Sequence, residues 1–286
     1  MSWTGEFADE LTARRVRRAT RERLVAELAD HIACEPAAQA RLGDPREIAG
    51  RYADELAGAD ARRAAFAAFG ALALTAAALL TTLATLQRIG YPDFDRGVSV
   101  AITVPAVLAM LFGSQVAWVA GMLAAWRAAR RHRVELMPGA EVALLRSRTR
   151  VALAAGLLVS VAVGAYALDF ADRQPGWWVA LVGGLSLAAT AATLAAWRVA
   201  AVGSRTVTLA AGPAGDVFDD VPPLRALRGH PLRTCGAFAA ASGLAIGIVE
   251  WHAERSPAEG VERGLAEAIV FVLCFVVLGR AVGARR

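Results

Sequence analysis

The sequence contains no lysine and no asparagine, and only three cysteines among its 286 residues. All 31 of its Lys and Arg positions are therefore arginine. Cys34, Cys235 and Cys274 lie too far apart to show the spacing of a metal-binding motif, so we expect free thiols and no metal site. Signatures of phosphate-binding loops, zinc proteases and nucleophilic catalysis are also missing. The sequence therefore predicts a protein without catalytic residues and without a cofactor.

Apolar residues, in contrast, are abundant. They make up 56% of the chain, and the mean hydropathy of +0.43 is too high for a typical soluble protein. The sequence predicts an all-α protein in which a small polar helical domain (1–63) precedes a transmembrane domain (64–286) of three helical hairpins. Six segments are apolar enough to be its membrane spans, namely 66–86, 98–126, 151–168, 177–202, 232–251 and 266–278.

Arginine is distributed unevenly between the segments that flank these spans. The N-terminal region, the 127–150 and 198–234 loops and the C-terminal tail hold 26 of the 31 arginines. Because arginine-rich loops remain in the cytoplasm, this predicts an inner (plasma) membrane protein with both termini cytoplasmic. The same rule explains the sequence pI near 9.8 without direct contact to nucleic acid. The expected partners are thus the lipid bilayer and, at the arginine-rich loops, anionic lipid head groups.

One polar segment combines several signals for a helix end followed at once by a helix start. Leu42 ends a short apolar pattern, and Gly43 can adopt the positive φ that terminates a helix. Asp44 is suited to cap the next helix, Pro45 to occupy its first turn, and Glu47 lies three residues after the cap. The segment therefore predicts two packed helices joined by a tight turn.

Apolar residues recur at helical spacing on both sides of this turn and predict three or four short amphipathic helices. A bundle of roughly 60 residues has a marginal core, so we expect it to dock against the membrane spans or a protein partner. A partner can contact either its apolar stripe or the run of arginines between Arg14 and Arg23. The residues expected at a partner-docking surface are Leu28, Asp30, His31, Ile48 and Tyr52.

Two motifs in this region occur together. They are Glu27-Leu28-Ala29-Asp30-His31-Ile32 and Arg41-Leu42-Gly43-Asp44-Pro45, the second followed by Ile48, Ala49 and Tyr52. Residues 6–57, which contain them, resemble the HAAS-type helical domain of bacterial membrane proteins. The chain departs from that family at Ala19-Thr20-Arg21, where the family tends to have a Leu-Pro pair. The resemblance implies a cytoplasmic domain before several membrane spans and, as partner, a PadR-type transcriptional regulator encoded nearby.

Polar residues are scarce inside the predicted spans. No Asp, Glu, Arg or His lies near mid-depth, where ion-coupled carriers usually place such groups. Gln115 is the most polar central residue, and we expect it to form a hydrogen bond between helices. Gly243 and Gly247 form a GxxxG pair, which predicts close helix packing within the bundle or in a dimer.

These patterns favour a non-enzymatic membrane protein with a regulatory or signal-relaying role, whose cytoplasmic domain binds a protein partner. The alternative is transport, either as a small permease or as the membrane subunit of an exporter. The neighbouring genes separate the two hypotheses. A PadR-type regulator gene favours regulation, and an ATPase gene favours export.

Overall fold

The computed structural model of the chain describes residues 2–35, 37–89, 100–130, 137–206, 231–254 and 256–281. Within these residues the fold is all-helical, with nine α-helices and no strand, which confirms the predicted class. Three short helices come first: α1 (Trp3–Ala13), α2 (Arg18–Cys34) and α3 (Ala38–Leu42). Six longer helices follow: α4 (Pro45–Ile89), α5 (Val100–Arg130), α6 (Gly139–Asp169), α7 (Gly176–Gly203), α8 (Pro231–Glu254) and α9 (Pro257–Ala281).

The short helices and the start of α4 pack around a core of their own, and we call this part the N-terminal helical unit (residues 2–57). Phe7 of α1 and Ala53 of α4 are fully buried in it. The ring of Phe7 stacks on Trp3 and meets Tyr52 edge to face, with centroid distances of 5.5 and 6.1 Å. Aromatic and small side chains therefore hold α1 against the first turns of α4.

α4 is one unbroken helix of 45 residues that continues from this unit into the apolar part of the chain. At 1.5 Å per residue it is about 68 Å long, more than twice the thickness of a bilayer's hydrocarbon core. The sequence predicted a polar helical domain that ends at residue 63 and a separate membrane span from residue 66, where side chains change from charged to apolar. That separation was wrong, since a change in polarity does not end a helix and five of the nine residues 57–65 are alanine, the best helix former.

The start of α6 also differs from the prediction. The sequence predicted a loop over 127–150 and a membrane span over 151–168. In the structure one helix runs from Gly139 to Asp169. No residue after Pro138 interrupts helical geometry, and the arginines of this stretch are themselves good helix formers.

Four helices, α4 to α7, are long and apolar enough to cross a membrane. α4 packs against α5, α6 and α7, and buried alanines in these contacts let the helix axes approach closely. Large apolar side chains cover the outside, among them Leu80, Met122, Leu168 and Leu187, which are 58–74% exposed. Because a soluble protein rarely exposes such a surface, α4 to α7 have the character of a membrane domain.

The last two helices form an antiparallel hairpin that contacts α5 and α6 through α9. The apolar stretch of α8, Cys235–Ile248, is shorter than a typical span. The fifth and sixth predicted spans therefore stay predictions.

Candidate functional site

The turn between α3 and α4 lies against the beginning of α1. Leu42 ends α3 and is half-buried. Gly43 has φ 82° and ψ −146°, a backbone conformation that is almost confined to glycine. The indole Nε1 of Trp3 donates a hydrogen bond to the Gly43 carbonyl oxygen at 2.9 Å. This turn is therefore fixed by its own backbone and by a residue 40 positions earlier.

The start of α4 is capped by a side chain. Oδ1 of Asp44 accepts a hydrogen bond from the backbone N–H of Arg46 at 2.8 Å, and Pro45 is the first helical residue. Oε1 of Glu47 accepts a hydrogen bond from Arg51 at 2.6 Å. Glu47 thus supports the first turns of α4 through an ion pair along the helix.

The five residues predicted for partner docking differ in their surroundings. Leu28, Ile48 and Tyr52 pack against the core of the N-terminal helical unit and keep part of their surface accessible. Asp30 and His31 are exposed on α2. The apolar members therefore stabilise the unit itself, while Asp30 and His31 are the members that a partner can reach without a change of structure.

Charges on α2 largely neutralise each other. Arg18 pairs with Glu22 at 2.6 Å and Arg23 with Glu27 at 3.4 Å, each one helical turn apart. The hydrogen bond to Arg18, together with the positive charge of Arg18, lowers the pKa of the Glu22 carboxyl. The same hydrogen bond and the negative charge of Glu22 raise the pKa of Arg18. Residues 1–57 contain nine arginines and eleven carboxylates. The excess positive charge of the chain thus lies elsewhere.

Several arginines lie where the N-terminal helical unit meets the bundle, at Asp60 of α4. Oδ2 of Asp60 lies 3.6 Å from Nη2 of Arg17, and Oδ1 lies 3.3 Å from Nη1 of Arg63. Arg146 and Arg150 of α6 line the same small recess as Asp60. We call this group, Asp60 with Arg17, Arg63, Arg146 and Arg150, the Asp60 junction. In it, Arg17 and Arg63 pair with the Asp60 carboxylate, whose side chain is 16% exposed, and Arg146 and Arg150 line the adjacent recess.

α7 ends at the same junction. Nη2 of Arg146 donates to the carbonyl oxygen of Gly203 at 2.9 Å, and Nη1 donates to that of Thr206 at 3.0 Å. The first bond satisfies a carbonyl group that the end of a helix leaves without a partner, and the second fixes the segment that follows α7. A Cβ atom at Gly203 would lie 2.9 Å from Cβ of Asp60, so glycine is required for α4 and α7 to come this close.

The arginines of 127–150 are placed differently from the expectation of a lipid-facing loop. Arg127 and Arg148 are buried, and Arg146 caps α7. Arg130 and Arg150 are exposed. The two others of the seven, at 131 and 133, lie outside the described residues. Part of this positive charge therefore joins helices together.

Hydroxyl groups link the helices inside the bundle. The Oγ atoms of Thr75 and Ser160 lie 3.1 Å apart, and Ser186 Oγ donates to the Ser160 carbonyl oxygen at 2.6 Å. Trp178 Nε1 donates to Thr85 Oγ1 at 2.7 Å. Sequence reasoning selected Gln115, which is half-buried, and missed these smaller residues. Serine and threonine within apolar runs were the signal that could have found them.

A groove of about 340 Å³ opens between α4, α5 and α6. Its polar groups are the hydroxyls of Thr82, Ser114 and Tyr166, and the rest of its lining is apolar. The Thr82 and Ser114 hydroxyls donate to carbonyl oxygens of their own helices, Ala78 and Leu111. The groove therefore offers little to a charged or strongly polar solute.

No metal-binding group of three or more His, Cys, Asp or Glu occurs among the residues that the structure describes. Cys34 is exposed and Cys235 and Cys274 are buried, all three as free thiols.

The glycine pair of α8 meets a second pair that sequence reasoning missed. Gly243 faces Gly264, and Gly247 faces Gly260, so that a Cβ at any of the four would lie 2.5–2.9 Å from a backbone oxygen across the crossing. The sequence contains this second pair as a GxxxG motif at 260–264. Because charged residues flank it, the motif lies outside the predicted span 266–278. Because these four positions have no side chain, the backbones of α8 and α9 can pack closely against each other.

No protein-family model, curated protein or solved structure matches this chain.

Proposed function

We propose that this chain is a non-enzymatic, multi-pass membrane protein that relays the binding of a cytoplasmic protein at its N-terminal helical unit to its membrane helices. The observation that carries the proposal is the continuity of α4. Its first turns supply Ala53 to the core of the unit, and its later turns supply Ala68 and Leu72 to contacts in the bundle. A binding event at one end of such a helix can displace the other end as a rigid element.

The Asp60 junction supports this coupling. Arg17 belongs to the unit, Asp60 to the shared helix, and Gly203 and Arg146 to the bundle. A displacement of α2 therefore alters the ion pair at Asp60 beside the end of α7. Arg14 adds a second link within the unit, with Nη1 3.6 Å from Oδ1 of Asp54.

The docking surface in this proposal is centred on Asp30 and His31 and includes the accessible parts of Leu28, Ile48 and Tyr52. The resemblance of residues 6–57 to HAAS-type domains makes a PadR-type regulator the partner to test first. We place the protein in the inner (plasma) membrane with both termini in the cytoplasm, because of the arginine distribution.

The binding test uses full-length protein in detergent or nanodiscs and the purified candidate regulator. Asp30→Ala with His31→Ala should weaken binding at least tenfold, while Gln39→Ala, an exposed polar change on α3, should leave it unchanged. Coupling is then read as a partner-induced change in hydrogen exchange at the end of α7. Asp60→Asn should keep partner binding and lose that change. Equal binding by all variants, or an unchanged α7 in the wild-type complex, would count against the proposal.

Orientation is tested separately by cysteine labelling after Cys34, Cys235 and Cys274 are replaced by serine. An impermeant reagent applied to intact cells should label Asp172→Cys and not Ala140→Cys. The reverse pattern would place the N-terminal helical unit outside.

Transport remains the alternative function. The apolar lining of the 340 Å³ groove gives it no specific support. Uptake of a solute by the purified protein in liposomes would establish it in place of the relay.

A further inference from the structure

The Asp60 junction has more positive charge than its one carboxylate can balance. Arg17 directly precedes α2, Arg63 belongs to α4, and Arg146 and Arg150 belong to α6. Among the residues that the structure describes, Asp60 is the one acidic residue that lines the recess shared with Arg146 and Arg150. The Arg63 and Arg17 side chains are 67% and 45% exposed, and Arg150 is exposed. This is the charge pattern of a surface that binds an anion.

The position of the Asp60 junction indicates which kind of anion binds there. Phe66, six residues after Asp60, is 45% exposed, which places the first outward apolar side chain of α4 about 9 Å further along the helix. Trp126 and Trp197, which are typical of a membrane interface, are exposed at the same end of the bundle. The junction therefore lies at the depth of lipid head groups.

The outer face of α4 leads from the junction along the apolar part of the helix. Arg63 begins a stripe of exposed residues at helical spacing, which continues through Phe66, Gly70, Leu74 and Leu80. A cationic end followed by an apolar stripe matches a molecule with a phosphate at one end and acyl chains at the other. The recess itself, at about 10 Å³, holds no more than a water molecule, so the ligand lies on the surface.

We propose that Arg17, Arg63 and Arg150 at the Asp60 junction bind the phosphate of an anionic phospholipid, whose acyl chains lie along the exposed face of α4. The site differs from the general attraction of an arginine-rich loop, because its arginines come from the start of α2, from α4 and from α6 and lie around one carboxylate. Arg17 belongs to the N-terminal helical unit, so a bound phospholipid also links that unit to the bundle. The inference does not depend on the identity of any protein partner.

The test is native mass spectrometry of the full-length protein titrated in detergent with phosphatidylglycerol or phosphatidylcholine. We expect the wild type to retain phosphatidylglycerol in preference. Arg63→Gln with Arg150→Gln should lower the apparent affinity about 30-fold, from the usual contribution of each cation near a membrane surface. The matched control is Arg18→Gln with Arg23→Gln, which removes the same charge from exposed pairs on α2 and should leave the affinity within about twofold.

Asp60→Asn should change the phosphatidylglycerol affinity in the opposite direction from the arginine substitutions. It removes the carboxylate that competes for the same guanidinium groups, so phosphatidylglycerol affinity should be kept or increased. Inorganic phosphate at millimolar concentration should not displace the lipid, because it lacks the acyl chains. The proposal is overturned by equal losses in the two arginine pairs, by no loss in Arg63→Gln with Arg150→Gln, by loss of binding in Asp60→Asn, or by full displacement with inorganic phosphate.

Discussion

The indole of Trp3 and the carbonyl oxygen of Gly43 form a hydrogen bond of 2.9 Å that joins the start of α1 to the turn before α4. Trp3 also stacks on Phe7, so one side chain connects the turn to the aromatic core. Trp3→Phe keeps an aromatic ring and removes the donor. We expect the stability of the N-terminal helical unit to fall by about 1 kcal/mol, the usual net value of one hydrogen bond. Hydrogen exchange of α1 amides in the full-length protein measures this, and unchanged protection would contradict it.

Gly43 should tolerate side chains poorly although space is open around it. A Cβ at Gly43 would meet no atom within 4 Å, so the whole penalty comes from its backbone conformation. Gly43→Val should destabilise the unit by about 1–3 kcal/mol, more than the roughly 1 kcal/mol expected for loss of the cap in Asp44→Ala.

Gly70→Ala is the matched control for this prediction, because it also has open space but lies within α4. It should be neutral or slightly stabilising in thermal unfolding of the full-length protein. Similar effects of the Gly43 and Gly70 changes would mean that the backbone of the turn is not strained by a side chain.

Gly203→Ala should separate α4 from α7. Its Cβ would lie 2.9 Å from Cβ of Asp60 and 3.5 Å from the Asp60 carbonyl carbon, so one helix must move. Overpacking of this kind costs about 1–3 kcal/mol. Gly184→Ala, in the same helix with no atom within 4 Å, should have little effect on the thermal midpoint in detergent. A loss of stability in both variants would point to a general sensitivity of α7.

Gly264→Ala should loosen the α8–α9 hairpin. The added Cβ would lie 2.6 Å from the Gly243 carbonyl oxygen, and backbone cannot rotate away as a side chain can. We expect faster hydrogen exchange in α8 and α9, with little change in α6. Gly236→Ala, also in α8 but with no atom within 4 Å, should leave the exchange of both helices unchanged.

Local features of the fold could be predicted from the sequence, and contacts between distant residues could not. Gly43 has the positive φ that its sequence context indicates, because helix termination depends on neighbouring residues. The apolar character of α4 to α7 could also be predicted, because it follows from their amino-acid composition. The approach of Asp60 to Gly203 was not, since neither residue carries a pattern that identifies a partner 143 positions away.

The errors have one physical origin. The sequence reading divided α4 and α6 where charge gave way to apolar residues, and it excluded Gly260 and Gly264 because charged residues surround them. Polarity reports the environment of a side chain, while helix continuity depends on backbone preferences. A helix that passes from one environment into another is therefore divided when polarity is used to locate its ends.

The unbroken course of α4 also sets the direction in which the docking surface points. With 3.6 residues per turn, inserting one residue between Ala53 and Ala68 would rotate the N-terminal helical unit by about 100° and advance it by about 1.5 Å. Asp30 and His31 would then face a different direction, and an insertion before Asp60 would also separate Arg17 from Asp60. An insertion of seven residues would nearly restore the angle, but at a height about 10 Å greater. The number of residues between the unit and the bundle therefore determines the angle about the α4 axis at which Asp30 and His31 face the cytoplasmic partner.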